Sequence, residues 1–486
     1  MTASEGFDLV LRGGRAVVGK DVVETDIGIR DGRIAAIGSA IGAGRQERVV
    51  KDRIILPGAV DGHCHVEQMT AAGIMNADSW ESASRAAALG GTTTIIPFAA
   101  QHRGHDLAEV VADYHARAER GAMVDYGFHM IVTDPTEKVL KQDLPRLIAA
   151  GHGSIKIFMT YDPLIVDDAG VLALLEVARD HNAMVCVHAE NHAMIRWETE
   201  LLLAEGKTAP KWQAVAHPRL AETEAVNRLI ALAELVRQPV TVFHVTQAEA
   251  LAELRAARER GLPIWAETCP HYLYLTAEDM DRPGSEGAKW MCSPPLRTKE
   301  DQKVLWQALS SGDLDMLTSD HAPFRYDETG KLSKGPNASF KQMANGMPGI
   351  GQRMPLMFDA AMRGLLTLPQ LVELTSAATA RIYNLASKGR IEVGADADLA
   401  IWNPETRSVM CDETVADGTG YTPYPGKEVI GALETLYLRG TAIVDDGAFL
   451  AQPGSGLFLP RPGGAPARWD DAIALRQGSV KVGAAA

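Results

Sequence analysis

The segment Leu56-Pro-Gly-Ala-Val-Asp-Gly-His-Cys-His65 begins as an apolar run and ends with two histidines one residue apart. If the run forms a β-strand, residues two apart point to the same face, and His63 and His65 project together from its end. Two imidazoles that converge on one point make half of a metal site. The segment therefore predicts a buried strand that delivers metal ligands.

Size and composition fit an enzyme of more than one domain. The chain has 486 residues, 46% of them hydrophobic and 23% charged, which is ordinary for a globular protein. Its formal net charge of -14 opposes binding to nucleic acid or to an anionic membrane surface. No apolar run is long enough to span a bilayer, and the first residues lack the pattern of a signal peptide.

The cysteines indicate a reducing compartment. They are five in number, stand at wide spacings and form no CxxC pattern, so neither a disulfide framework nor a structural zinc motif is expected. We predict free thiols in a cytoplasmic protein. The cysteines are Cys64, Cys186, Cys269, Cys292 and Cys411.

From residue 54 onward, strand-like apolar runs alternate with helical patterns. The helical patterns at residues 79–89 and 107–120, for example, both stop at a glycine. The strand candidates are residues 54–66, 92–99, 126–133, 154–161, 184–190, 240–246, 264–272 and 316–322. Eight strands that alternate with helices predict an α/β protein with a (β/α)8 TIM-type barrel. A doubly wound open sheet has a similar rhythm and is the alternative.

Both ends of the chain have β character. Asp31-Gly32 stands between two alternating runs, which is a hairpin signal, and residues 389–402, 429–438 and 442–445 resemble strands. We predict that residues 1–56 and 388–450 form one small β-sandwich domain, and that residues 57–387 form the barrel. Residues 451–486, rich in Gly, Pro and Ala, are expected to be a loosely held arm or an oligomer contact.

Polar residues stand at the ends of the predicted barrel strands, where barrel enzymes carry their active sites. Taken singly, a histidine at a strand end is more often a core or solvated residue than a ligand. Lys156 could reach the surface, and Asp320 could cap a helix. The joint pattern of imidazole and carboxylate donors nevertheless predicts a site for two metal ions. Its members are His63, His65, Lys156, His188, His244 and Asp320.

This ordered set resembles that of the cyclic amidohydrolases, and it is most similar to the dihydropyrimidinase/hydantoinase family. The resemblance runs over nearly the whole chain and is very specific as an ordered set. Further segments that carry it are Gly90-Gly-Thr-Thr-Thr, Ser154-Ile-Lys-Ile-Phe-Met-Thr-Tyr161, Glu267-Thr-Cys-Pro-His-Tyr-Leu273, Cys292-Ser-Pro-Pro-Leu-Arg297 and Ala344-Asn-Gly-Met-Pro-Gly349.

The resemblance implies a mechanism. In that family carbon dioxide carbamylates the lysine, and the carbamate bridges two divalent ions, usually zinc. A hydroxide that also bridges the ions attacks the carbonyl carbon of a cyclic amide, and Asp320 acts as general base and then general acid. The implied ligands are His63, His65 and Asp320 for the first ion, His188 and His244 for the second, and carbamylated Lys156 for both.

The resemblance also implies residues that contact the substrate. Tyr161 would be the catalytic phenol that donates to the developing oxyanion, and Ser293 and Asn345 would hold the amide edge of the ring. From the residues alone, Tyr161 could be a rim aromatic, and Ser-Pro and Asn-Gly are common in turns. Strand alternation places His321 and Cys64 on the opposite face, so neither is predicted as a ligand.

The loop after the first strand departs from the family pattern. It carries Glu67 and Gln68, where dihydropyrimidinases and hydantoinases have an apolar stretch. Dihydroorotases place an arginine just after His-x-His to bind a carboxylate, whereas Val66 and Glu67 stand here. A negatively charged substrate would be repelled by Glu67 there, so a neutral ring is expected: a hydantoin, a dihydropyrimidine or a cyclic imide. Glu67 is either a solvated loop acid or a substrate contact.

Other functions stay open at this point. An allantoinase-like activity or another amidohydrolase activity, such as that of a one-metal deaminase, would use the same barrel. Some proteins similar to dihydropyrimidinases are non-catalytic scaffolds that have lost metal ligands. This chain keeps all six candidate ligands, which favours the enzyme. The family is often tetrameric, so a homo-oligomer of four or two chains is expected.

Overall fold

The computed structural model describes residues 6–478. The first residues of the predicted β domain, 1–5, and the last residues of the predicted arm, 479–486, lie outside the described residues. The strands are β1 (Phe7–Val18), β2 (Asp21–Arg30), β3 (Arg33–Gly38), β4 (Gly44–Val49), β5 (Ile54–Pro57), β6 (Ala59–Cys64), β7 (Thr92–Ala100), β8 (Asp125–Tyr126), β9 (His129–Ile131), β10 (Ser154–Phe158), β11 (Met184–His188), β12 (Val240–Val242), β13 (Ile264–Thr268), β14 (Met316–Leu317), β15 (Leu399–Val409), β16 (Glu428–Leu438), β17 (Thr441–Asp445) and β18 (Ala448–Phe449).

The α-helices follow most of the predicted helical patterns. Within residues 6–478, no helix is both long enough and apolar enough to cross a membrane. The helices are α1 (Trp80–Leu89), α2 (Leu107–Gly121), α3 (Leu144–Ala149), α4 (Asp168–His181), α5 (His192–Ala204), α6 (Gln213–Ala216), α7 (Arg219–Val236), α8 (Ala248–Glu259), α9 (Pro270–Tyr274), α10 (Lys299–Ser311), α11 (Arg353–Met362), α12 (Leu368–Val372), α13 (Ala378–Ile382) and α14 (Trp469–Arg476).

The central sheet is a closed parallel barrel. Its strands follow one another in the order β6-β7-β9-β10-β11-β12-β13-β14, with β8 as a second partner of β7. The two ends of this sheet meet where Cys64 and His321 form a parallel bridge, and the His65 amide donates to the His321 carbonyl at 2.7 Å. The predicted barrel is confirmed, since sequential order and closure exclude a doubly wound open sheet.

The barrel strands are buried on both sides, as their apolar runs predict. Every residue of β6 and β7 is buried. Several strands are shorter than the runs that predicted them. Strand β13 stops at Thr268 because Pro270 has no N–H for the ladder and begins helix α9 instead.

The second sheet is built from both ends of the chain. Its nine strands have the order β18-β17-β16-β15-β5-β1-β2-β3, with β4 beside β1. Strand β5 pairs with β15, so that Ile55 lies opposite Ile401. Asp31 and Gly32 join β2 and β3 with φ of 51° and 73°, as a type I′ hairpin turn requires. The predicted β domain is therefore present as one continuous mixed sheet, while its sequence-derived bounds stay a prediction.

The segment after this sheet is bound to the barrel. The Leu459 amide donates to the Tyr126 carbonyl at 2.7 Å. Arg461 is 1% exposed, and its guanidinium donates to the Phe128 carbonyl and to the Ser154 hydroxyl. The expectation of a loosely held arm is wrong for residues 456–461, because backbone pairing and a buried guanidinium fix them.

A buried lysine connects the two sheets. The Nζ of Lys388 lies 2.6 Å from Asp125 on β8, 3.0 Å from Asp396 and 2.8 Å from Asp398, just before β15. Burial alone would lower the pKa of Lys388, but these carboxylates raise it, so the amine is charged. The ammonium balances negative charge that is itself buried.

Replacing Lys388 with methionine tests this connection. Lys388→Met leaves buried carboxylates without their cation, and we expect it to lower the free energy of unfolding by about 3–5 kcal/mol. Equilibrium urea unfolding measures the change. The control Lys20→Met, on an exposed turn, is expected to stay within about 0.5 kcal/mol. Equal stability of the two variants would contradict the proposed connection.

Candidate active site

The six ligand candidates meet in one cavity of about 410 Å³ at the C-terminal end of the barrel strands. Tyr161, Ser293 and Asn345 line the same cavity. The sequence had placed these residues on separate strands and loops, so their meeting is a property of the closed barrel. The six candidates are His63, His65, Lys156, His188, His244 and Asp320.

The first group of ligand candidates comes from the first and last barrel strands. His63, His65 and Asp320 each offer one ligand atom, and these atoms lie within 4.8 Å of one another. The Oδ1 atom of Asp320 lies 3.0 Å from Nε2 of His63 and 3.5 Å from Nε2 of His65. The shared face predicted from the His-x-His spacing is present.

Electrostatics favour positive charge at this group. Burial alone would lower the pKa of His63, but Asp320 and Glu267 raise it to about 9. Burial likewise opposes ionisation of Asp320, yet His63 holds the pKa of that carboxyl well below its usual range. A place that stabilises a proton between buried carboxylates also suits a metal cation.

The second group lies beside the first. The ring centroids of His188 and His244 are 4.4 Å apart, and His244 is 5.5 Å from His63. His244 and Asp320 follow their strands with φ of 40° and 43°, a left-handed backbone that is uncommon outside glycine. Such conformations cluster at functional sites. Within residues 6–478, the buried Nδ1 of His244 has no hydrogen-bond partner.

Lys156 lies in an aromatic pocket at the back of the cavity. It is 1% exposed, and its Nζ lies 4.0 Å from the ring centroid of Phe243 and 4.9 Å from that of Phe158. No carboxylate within residues 6–478 forms an ion pair with it. Burial lowers the pKa of Lys156 to about 7, so much of the amine is uncharged near neutral pH.

Hydrogen-bond partners fix the orientation of three imidazoles. Glu267 accepts from Nδ1 of His63, and Gln68 Oε1 accepts from Nδ1 of His65 at 2.8 Å. Metal-binding histidines usually have such partners, which set their tautomer. Glu190 accepts from the other ring nitrogen, Nε2, of His188 at 2.7 Å, and it also accepts from His217 Nδ1 at 2.7 Å.

These partners were missed as functional residues from the sequence. Glu267 was noted only within a family motif, and Gln68 only as a departure from the family pattern. The sole available signal was position, since Glu267 stands near the end of a barrel strand. A glutamine three residues after the His-x-His pair has no distinctive pattern.

The residues predicted to contact substrate lie around the open side of the cavity. Tyr161 follows β10 with φ of 71°, and its ring centroid is 5.3 Å from that of His188. Burial raises the pKa of Tyr161 well above its ordinary value, so the phenol keeps its proton. Gln213 Nε2 donates to the Ser293 hydroxyl at 3.2 Å, and Asn345 Oδ1 has no partner within residues 6–478.

His321 faces away from the ligands, as strand alternation predicted. Its Nε2 donates to Asp78 at 2.9 Å, and its Nδ1 accepts from the Gly349 amide at 3.1 Å. Cys64 is buried on the same side. Neither residue lines the cavity formed by the described residues.

Glu67 acts as a structural acid. Its Oε2 accepts from the Trp80 amide at the start of α1, at 3.3 Å, and the residue is not part of the cavity lining within residues 6–478. The argument that Glu67 repels an acidic substrate is therefore wrong. A weaker argument stands: within the described residues, no arginine lines the cavity to bind a carboxylate.

Comparisons with known proteins agree with this site. Residues 54–419 match the family model described as "Amidohydrolase family". This chain belongs to the amidohydrolase family. It is 39% identical to the D-hydantoinase of Ralstonia pickettii, over 94% of this chain and 99% of the relative.

Solved structures place this amidohydrolase among hydantoinases and dihydropyrimidinases. A D-hydantoinase structure has a TM-score of 0.90 and 39% identity, covering 94% of this chain and 99% of the other. The dihydropyrimidinase of Brevibacillus agri NCHU1002 has a TM-score of 0.90 and 35% identity, covering 93% and 98%. The resemblance inferred from the ordered motifs is confirmed.

A buried lysine that no sequence pattern marks supports the segment around Asn345. Lys331 is fully buried, and its Nζ donates to the carbonyls of Ala344 at 3.0 Å and Gly346 at 2.7 Å. These carbonyls flank the residue that lines the cavity. Burial lowers the pKa of Lys331 to about 7.

The depressed pKa of Lys331 predicts a pH dependence of stability. Between about pH 7 and pH 10 the unfolded chain binds this proton while the native chain does not, so native stability rises with pH. The wild type should therefore gain stability relative to Lys331→Met across this window. Urea unfolding at about pH 7 and at about pH 10 measures the free energy of unfolding of both proteins. The exposed variant Lys334→Met is the control. A wild type that loses stability relative to Lys331→Met as pH rises, or that does not change relative to it, would contradict the prediction.

Proposed function

We propose that this amidohydrolase opens the ring of a small neutral cyclic amide or imide, of the hydantoin or dihydropyrimidine type, by hydrolysis with two divalent metal ions. The observation that supports it is the meeting of four histidines, a lysine and an aspartate in one cavity. The relatives named as hydantoinases and dihydropyrimidinases support the substrate class.

The donors fit a binuclear centre. They offer only nitrogen and oxygen. The ligand atoms of His63, His65 and Asp320 lie within 4.8 Å of one another, and hydrogen-bond partners orient three of the imidazoles. Such a set suits zinc. When bound, the ions polarise the amide carbonyl and lower the pKa of water. We assign His63, His65 and Asp320 to one ion, His188 and His244 to the other, and carbamylated Lys156 to both.

Lys156 is suited to carbamylation. Its uncharged amine would form a bond to the carbon of carbon dioxide and release one proton, leaving an anionic carbamate. Burial lowers the pKa of Lys156 to about 7, which makes this reactive form available. The absence of a carboxylate partner within residues 6–478 fits a side chain that itself becomes an anion.

Asp320 is proposed as the residue that moves the proton. His63 holds the pKa of Asp320 low against the effect of burial, so the group starts as a carboxylate. It lines the cavity and would accept the proton of the attacking water. It would then donate that proton to the departing ring nitrogen, which makes it general base and general acid in turn.

The remaining polar residues would bind the ring. Tyr161 keeps its phenolic proton and can donate to the carbonyl oxygen as negative charge develops there. Ser293 and Asn345 would hold the amide edge. Met69, Ile74 and other apolar residues line the outer cavity, which offers room for a ring substituent.

We also propose a homo-oligomer of two or four chains. The family that this chain resembles is often tetrameric, and Trp197 on α5 and Leu220 on α7, each 61% exposed, are large apolar residues that such an interface could bury. Light scattering coupled to gel filtration should give a mass two or four times that of the chain. A monomer at micromolar concentration would contradict this part.

Metal content and ring opening test the proposed function together. Protein purified without added metal or chelator should carry about two ions per chain and should hydrolyse hydantoin, dihydrouracil or a simple imide. Lys156→Ala should lose both metal and rate, whereas exposed Lys141→Ala should keep them. A one-metal enzyme would keep most of its metal and rate after Lys156→Ala. A protein that binds no metal, even after incubation with zinc and bicarbonate, would favour the non-catalytic scaffold.

Tyr161→Phe separates catalysis from metal binding. Because the phenol donates to the oxyanion without holding an ion, the variant should lose about 100-fold to 1000-fold in kcat and keep its metal. Steady-state kinetics and metal analysis on the same sample measure both effects. Tyr326→Phe, which removes a partly buried hydroxyl outside the cavity lining, is the control. An unchanged kcat in Tyr161→Phe would contradict the proposed role of Tyr161 as a donor to the oxyanion.

A further inference from the structure

A second group of metal-binding side chains lies beside Asp320. Cys269, His271 and Asp320 each offer one ligand atom, and these three atoms lie within 4.8 Å of one another. Cys269 is 0% exposed, and His271 is 2% exposed. The proposed reaction uses Asp320 but has no role for the thiol or for this imidazole.

The barrel brings these three side chains together. Strands β13 and β14 are neighbours, with Thr268 opposite Leu317. Cys269 directly follows β13, and His271 lies in the first turn of α9, while Asp320 follows β14. The three side chains therefore share one rim, and the Cys269 sulfur also lies 3.8 Å from the Thr318 hydroxyl.

The imidazole of His271 lacks a protein partner. Its ring forms no hydrogen bond with any of residues 6–478, and its Nε2 is buried without one. Buried polar atoms nearly always have a partner, so an exception requires an explanation. A ring nitrogen in this state can bind a water or a cation.

We propose that Cys269, His271 and Asp320 form an inhibitory site for a thiophilic divalent cation, such as cadmium or excess zinc. Sulfur, imidazole and carboxylate are a donor set that zinc readily accepts. Binding replaces the S–H bond of Cys269 with an S–metal bond, and the proton is released to solvent.

The inhibition follows from the shared carboxylate and rests on the proposed function. A cation at this site engages an oxygen of Asp320, which is the group proposed to move the proton. Activity should therefore rise as zinc fills the ligands around Lys156 and fall again at higher zinc. The cation binding itself does not depend on the reaction.

Cadmium titration of the metal-loaded enzyme tests the site directly. A sulfur-to-cadmium charge-transfer absorption should grow with added Cd²⁺ and should be absent in Cys269→Ser. The matched controls are Cys292→Ser, whose thiol lines the main cavity, and Cys411→Ser, whose thiol is partly exposed and outside that cavity. Both controls should keep the band. A band that persists in Cys269→Ser, or is lost in Cys292→Ser, would overturn the assignment.

His271→Gln provides a second, conservative variant. It should weaken Cd²⁺ binding by at least about tenfold while the band returns at saturation. Inhibition by excess zinc should diminish in this variant and in Cys269→Ser, each compared with its own uninhibited rate. Unchanged affinity in His271→Gln would mean that water alone satisfies this imidazole.

The outcomes also separate this site from the proposed reaction. A band that depends on Cys269, in an enzyme that hydrolyses none of the rings, would support the cation site and contradict the proposed reaction. Ring hydrolysis by an enzyme that shows no such band would support the proposed reaction and contradict the cation site.

Discussion

The active site depends on closure of the parallel barrel. The His65 amide donates to the His321 carbonyl at 2.7 Å, which joins the first strand to the last. This contact brings the His-x-His pair beside Asp320, although more than 250 residues separate them along the chain. In an open sheet of the same strands, these groups would lie on opposite edges, and their donor atoms would not lie within 4.8 Å of one another.

Regular strand geometry explains why much of this site could be predicted. Alternation along a strand placed His63 with His65 and turned Cys64 and His321 away, and the structure agrees. Beyond the end of a strand, the alternation of side-chain direction no longer holds. The orientations of Tyr161 and Asp320 result from left-handed backbone at single residues, which no side-chain pattern announces. The resemblance to a family, rather than periodicity, identified their candidate roles.

What the sequence did not predict concerns long-range contacts between residues of ordinary appearance. Glu267 accepts from Nδ1 of His63 across 204 positions of the chain, Glu190 accepts from His217 across 27, and Lys331 donates to the Gly346 carbonyl across 15. Glu67 shows the converse, because an acid next to the ligand candidates was considered as a substrate contact or a solvated loop acid, although its carboxylate accepts from the amide at the start of a helix. Residue type and position do not reveal where a side chain turns.

The buried contacts of Arg461 have a consequence for the order of folding. Its guanidinium reaches the Phe128 carbonyl across 333 positions of the chain. Contacts of such high sequence separation form late, because a long loop must first close. During synthesis, Phe128 and Ser154, near the starts of strands β9 and β10, therefore lack these contacts until residue 461 has left the ribosome. The core residues against which Phe458 and Leu459 pack also stay uncovered in that interval, and transiently exposed apolar surface favours aggregation.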